Sequence, residues 1–239
     1  MKAATGFSGD GLKALEDQVM HCRKCPRLVA WRQQVAREKR RAYMDWDYWG
    51  KPVPGFGDPG ARLLIVGLAP GAHGSNRTGR MFTGDSSGDT LYPALFRAGF
   101  ANQATAKSRE DGLQLKDAFI TALARCAPPK NRPTAEEFDN CRPYLKREIE
   151  LLPNVRIVLS LGQLAFDGVQ RAWREDGHEV ARIPFVHGAW HQLGEGLPIL
   201  AASYHPSRQN TNTGRLTQAM LDDVFGRIRQ FLRTERSRR

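Results

Sequence analysis

Four cysteines, one glycine-rich loop with a single carboxylate, and two short polar loops carry the side chains able to do chemistry in this chain. Cys22 and Cys25 form C-x2-C in HCRKCP, while Cys126 and Cys141 follow much later, separated by fourteen residues. Four thiolates suit tetrahedral zinc or a [4Fe–4S] cluster. Zinc sites usually present two tight pairs; only the first pair is tight here, which favours the cluster. The alternative is that Cys126 and Cys141 are buried as small apolar residues. No Cys-x3-Cys-x2-Cys run is present, so a cluster here points to a structural tie and not to radical chemistry.

The stretch GLAPGAHGSNRTGRMFTGDSSG, residues 67–88, follows the apolar run ARLLIV and holds six glycines and one acid, Asp85. It lacks the Gly-Lys-Ser/Thr ending of a phosphate-binding P-loop and has no clean G-x-G-x-x-G. What remains is close backbone approach together with His73, Asn76, Arg77, Arg80, Phe82 and Asp85. An aromatic beside glycines suits a flat ring that needs an exposed face for stacking; the competing reading of Phe82 is a core residue that anchors the loop. In KNRPT, Asn131 offers both a donor and an acceptor, the pairing needed to read a base edge, or else serves as a turn residue. In SYHPSRQNTNTGR, His205 stands directly after a strand, and Arg208, Gln209, Asn210 and Asn212 are placed to touch phosphates or fill a vacated base position.

These residues need a frame. Residues 11–38 alternate apolar and charged positions in a helical manner, interrupted at Pro26, and PVPGFGDPG reads as a turn-rich loop. ARLLIVG, DAFITALARC, VRIVLSLG and LPILAAS read as four strands. Helices are expected in TLYPALFRAGF, stopped by Gly99; after Thr134, which with Glu137 makes a capping-box signature; from Gln163 to about Trp173; and over 215–234. Strands alternating with helices predict a parallel sheet covered on both faces. In such sheets ligands bind beyond the carboxyl ends of the strands, where GLAPG, RCAPPKN and SYHPS can converge.

At 239 residues and 41% hydrophobic composition, one large domain or two small ones can form; a single domain over 1–239 is expected, with a disordered basic tail from about 234. The formal net charge of +11 favours a polyanionic partner. No run reaches the roughly 18 apolar residues of a membrane span, and the N-terminus MKAATGFSGDGLKAL lacks the apolar core of a signal peptide. A cytoplasmic, monomeric protein is the expectation.

Taken together, HCRKCPRL, PVPGFGDP, GLAPGAHGSNRTGRMFTGDSSG, RCAPPKNRPTAEE and SYHPSRQNTNTGRLT, over about residues 21–217, resemble the family 5 (type b) uracil-DNA glycosylases. The resemblance implies a three-layer α/β/α sandwich with a central, mainly parallel four-stranded sheet. It implies a [4Fe–4S] cluster on Cys22, Cys25, Cys126 and Cys141, and removal of uracil, and often of other deaminated bases, from DNA. By motif, Asp85 matches the residue assigned to water activation, Asn131 the base contact, His205 the support of the leaving base, and Phe82 the stacking ring. Gly67, Ala69, Gly71 and His73 then line the base pocket, and Arg77, Arg80, Arg208, Gln209 and Asn210 are expected on the DNA. Met81 departs from the family, where proline is expected.

That chemistry suits these residue types. Cleaving an N-glycosidic bond builds positive charge on the sugar and negative charge on the base. One carboxylate can stabilise the first and orient or deprotonate water. Uracil leaves as a delocalised anion, so hydrogen-bond donors replace the second acid that a sugar hydrolase needs. A non-catalytic nucleic-acid binder stapled by metal is the alternative if Asp85 lies far from Asn131 and His205. A phosphate-binding α/β enzyme is disfavoured by the missing P-loop lysine.

Overall fold

The computed structural model describes residues 7–237; residues 1–6, the start of the N-terminal stretch read above, and 238–239 lie outside the described residues. Two helices come first, α1 (Phe7–Met20) and α2 (Pro26–Glu38). They break where expected: Cys25 is the N-cap of α2, and Pro26 occupies its first turn, where a missing N–H costs nothing. There follow β1 (Phe56–Gly57), β2 (Leu63–Gly67), α3 (Ser75–Thr78), α4 (Ser86–Arg97), β3 (Ala118–Ala122), α5 (Ala135–Leu151), β4 (Ile157–Leu161) and α6 (Gln163–Glu175). The chain ends with β5 (Trp190–His191), β6 (Ile199–Ser203), α7 (Arg208–Asn212) and α8 (Gln218–Ser237).

The strands form one sheet in the order β1-β3-β2-β4-β6-β5. The four middle strands are parallel, with Leu63 opposite both Ala118 and Ile157, and Ile157 opposite Ile199. β2, β3 and β4 are buried along their whole length, as apolar strands covered on both faces must be. Leu63, Ile65, Ile120 and Leu159 meet Leu91 and Leu95 of α4 and Leu221, Phe225 and Ile228 of α8. Leu64, Val66, Phe119 and Val158 meet Leu145 of α5, Phe166 and Trp173 of α6, and Leu12 of α1. The expected three-layer arrangement is therefore present.

Two expectations are corrected. The sheet has six strands, not four, because β1 and β5 pair antiparallel at its edges. Each is only two residues long and half-buried, too short to leave a period in the sequence. The tail expected to be disordered from 234 is helical through Ser237, with Leu232 buried one turn earlier. Among the described residues no helix is long and apolar enough to cross a membrane.

Strand order fixes where a ligand goes. The connection leaving β2 runs to β3 on one side, and the connection leaving β3 crosses back to β4 on the other, so the strand order reverses beside β2 and opens a crevice at its carboxyl end. Pairing continues past the strand ends: Leu123 N–H donates to Gly67 O and Ala124 N–H to Leu68 O, each at 3.0 Å. The glycine loop and the RCAPPKN loop therefore leave the sheet side by side.

Candidate active site

A cleft of about 500 Å³ lies at this switch point. It is lined by Gly67, Ala69, Gly71, Met81, Phe82 and Asp85 of the glycine loop, Asn131 after β3, and His205, Arg208 and Gln209 after β6. Residues from three loops, far apart in sequence, thus meet in one place.

Asp85 is the N-cap of α4, with extended backbone and Oδ1 accepting from Ser87 N (3.0 Å) and Gly88 N (3.2 Å). One oxygen therefore anchors the helix, while Oδ2 is turned to the glycine loop, where a Cβ at Gly71 would stand 2.9 Å from it. Burial raises the Asp85 pKa above the ordinary carboxylate value, against the opposing pull of the Gly88 and Ser87 N–H groups and Arg77. A proton acceptor of raised basicity on a rigid helix end suits general-base work. A Cβ at Gly74 would run directly into the Asp85 carboxylate. Gly74→Ala should accordingly lower single-turnover excision about 100-fold, the cost of misplacing a reacting group by about 1 Å, with unchanged circular dichroism. Parental rates in that variant would show that the carboxylate position is not critical.

Phe82 has φ +52, a left-handed conformation that few bulky residues adopt. The turn sends its ring against Gly67, where any Cβ would meet it at 2.8 Å. The ring lies 5.8 Å from that of His205, tilted by 34°. His205 is packed from behind by Gly162, φ +92, where an added Cβ would stand 3.2 Å from His205 Cβ. Burial pushes the His205 pKa down to about 4, so its imidazole is neutral at pH 7. Its loop is held at both ends: Asn210 Nδ2 donates to His205 O at 2.9 Å, and Tyr204 N–H donates to His187 Nδ1 at 3.0 Å.

Asn131 and Lys130 both have positive φ, +55 and +53, in a short 3-10 turn after two prolines. Asparagine tolerates that conformation. The loop is tied to α5 by the Thr134–Glu137 capping box, worth about 1 kcal/mol. It is tied to α2 by Arg27, which grips Glu137 through two bonds of 2.7 and 2.6 Å and reaches Arg132 O.

Several sequence expectations change here. Arg77 and Arg80, expected on the DNA, are both buried and engaged inside the protein. Arg77 donates to His73 O and Gly84 O, each at 2.8 Å, and lies between the rings of Tyr43 and Trp46. Arg80 grips both oxygens of Asp111 and donates to Thr83 Oγ1. They brace the loop that carries Phe82 and Asp85. His73 does not line the cleft; its Nδ1 lies 3.1 Å from Tyr48 Oη. Asn210 holds His205 and opens on the neighbouring pocket. Arg208 and Gln209 are exposed at the cleft rim. Gly74, Gly162 and His187 were not singled out in the sequence. A glycine immediately after a strand was the available signal for Gly162; nothing local marks His187.

The cysteines come from three elements: the α1–α2 turn, the loop after β3, and α5. Cys25, Cys126 and Cys141 are buried and Cys22 half-buried, all as free thiols. Each of the two late thiols is within electrostatic reach of Cys22 and Cys25. Among the described residues no three His, Cys, Asp or Glu side chains are grouped to hold a single metal ion.

With this geometry established, kinship can be weighed. The family model described as the uracil DNA glycosylase superfamily matches residues 54–229, from just before β1 into α8. The chain is 54% identical over 213 residues to a type-5 uracil-DNA glycosylase of Mycobacterium leprae, covering 88% of this chain and 91% of that protein. Pyrobaculum aerophilum supplies a comparison within one organism. Its type-5 uracil-DNA glycosylase is 46% identical, covering 88% of this chain and 89% of the relative. Its type-4 uracil-DNA glycosylase is only 30% identical, covering 82% and 83%. The switch-point cleft and this graded similarity together place the chain in the uracil DNA glycosylase superfamily, in its type-5 branch.

Proposed function

We propose that the chain hydrolyses the N-glycosidic bond of uracil in DNA and leaves an abasic site for base-excision repair. The observation that carries this is the meeting of Asp85, Asn131, His205 and Phe82 in one cleft large enough to admit a base. That meeting disfavours the non-catalytic binder, which required Asp85 to lie apart. The base first leaves the stack, at a cost of a few kcal/mol that is smallest for mismatches. Phe82 stacks on it, Asn131 reads its edge, and Arg208 and Gln209 meet the backbone at the rim. The C1′–N1 bond then breaks and its electron pair leaves with the base, where neutral His205 and loop N–H groups stabilise the anion. Water attacks C1′ and its proton passes to Asp85, whose charge also favours the cationic sugar.

Other deaminated bases, hypoxanthine among them, belong to the same proposal. Met81 lines the cleft, and its backbone oxygen is fixed by Tyr92 Oη at 2.8 Å. A flexible thioether at this position adapts to bases of different outline. Defined duplexes with uracil or hypoxanthine opposite each normal base test the range. Uracil left intact in all of them would refute the activity.

Cys22, Cys25, Cys126 and Cys141 hold a [4Fe–4S] cluster in this reading. Two features support it: three buried free thiols converge with the fourth, and buried guanidinium nitrogens of Arg32 and Arg125 beside them lack protein partners. The cluster would serve as a staple that ties α2 to the loop after β3 and to α5. Purified protein should show broad visible absorption and about four irons per chain. Stoichiometric zinc in a colourless protein would overturn the assignment.

A further inference from the structure

We infer that Arg32 is the counter-cation of the cysteine site, held in the core to balance the negative charge of the ligated thiolates. The inference rests on the iron–sulfur reading above.

Arg32 sits on α2, seven residues after Cys25, and is 3% exposed. Its terminal nitrogens donate only to backbone, to Gly50 O at 3.2 Å and Cys22 O at 3.4 Å, and its Nε has no partner. A guanidinium keeps its charge in any protein environment. Burying such a charge without an opposite one is strongly unfavourable.

Among the described residues the other buried guanidiniums have an opposite charge or aromatic faces against them. Arg125 pairs with Glu148 and Arg80 with Asp111. Arg77 lies between two aromatic faces. No carboxylate pairs with Arg32 among the described residues; the groups within its electrostatic reach that can become anionic are the thiols of Cys126 and Cys22, against the like charge of Arg23. Ligation deprotonates a thiol outright. Four thiolates around an iron–sulfur core leave that core region net negative, which is the charge Arg32 lacks. The free Nε–H is also a donor suited to a sulfur acceptor, and hydrogen bonds and charge near the sulfurs are levers on cluster stability and potential.

The test uses the holoprotein. Arg32→Met keeps the bulk and removes the charge; Arg32→Lys keeps the charge and removes the planar fork. Iron release to a chelator, followed by loss of visible absorbance, should be about tenfold faster in Arg32→Met and within about threefold of wild type in Arg32→Lys. The cluster's midpoint potential should move to more negative values in Arg32→Met, because a nearby cation favours the reduced form. A purely packing role would not move the potential in that direction. Wild-type release and potential in Arg32→Met would overturn the inference, as would equally fast release from both variants. If Arg32→Met does not accumulate, the Lys variant decides alone: release tenfold faster than wild type would defeat the role of charge. Absence of iron in the wild-type protein would instead defeat the reading beneath it.

Discussion

Asp85→Asn should lower single-turnover uracil excision by about 10³-fold, within the range expected for a lost general base and electrostatic stabiliser. Binding to uracil-containing duplex should stay within a few-fold of wild type. The variant isolates charge from structure. Asparagine is as good an N-cap as aspartate, and its side-chain oxygen can still accept from Ser87 N and Gly88 N. α4 therefore keeps its start and Phe82 its turn, while the oxygen facing Gly71 and Gly74 is replaced by an amide NH2 that cannot take a proton. Asp85→Ala is the harsher control, because it also removes the cap. If both variants excise uracil at the wild-type rate, the attacking water is activated elsewhere and the proposed mechanism fails. If Asn is mild and Ala severe, the carboxylate is a cap and not a base.

The parts of this molecule that were legible from sequence are those set by local pattern. ARLLIV and VRIVLSL are buried apolar runs, and they became β2 and β4. The Thr134–Glu137 spacing announced α5, and the box is formed. β1 and β5 were not legible, because a two-residue edge strand is defined by its partner, not by its own period. Charge was the poorest guide. Arg77 and Arg208 look alike in sequence, yet the first lies between Tyr43 and Trp46 and the second stands exposed at the cleft rim. Likewise His73 and His205 both follow strands through glycine- or proline-marked loops, but only His205 enters the cleft. Where a side chain points depends on packing between distant segments. The convergence of Asp85, Asn131 and His205 came instead from strand order, which puts the loops after β2, β3 and β6 at one end of the sheet.

His205 carries the second large effect, and its sign with pH separates two mechanisms. Burial holds its pKa at about 4, so the imidazole is neutral from about pH 5 upwards. It acts as a hydrogen-bond donor to the departing anion, not as a proton source. His205→Ala should lower excision about 100-fold, the usual cost of one donor at a developing anion. In wild type, kcat should rise as Asp85 ionises, with no fall as pH passes through 6.5. An enzyme that relied on imidazolium would instead lose activity there. Stability moves with the same protons. The unfolded chain protonates its histidine near 6.5, whereas the folded chain does so only near 4. The contribution of neutral His205 is therefore complete above about pH 6.5 and is lost as pH falls towards 4. Asp85 has the opposite sign: its raised folded pKa makes its burial a cost that appears as pH climbs above the ordinary carboxylate value. Comparing Tm at pH 5 and pH 7.5 should show a smaller acid loss in His205→Ala than in wild type. Equal losses in both, with a rate that falls through pH 6.5, would mean that His205 is protonated in the active enzyme.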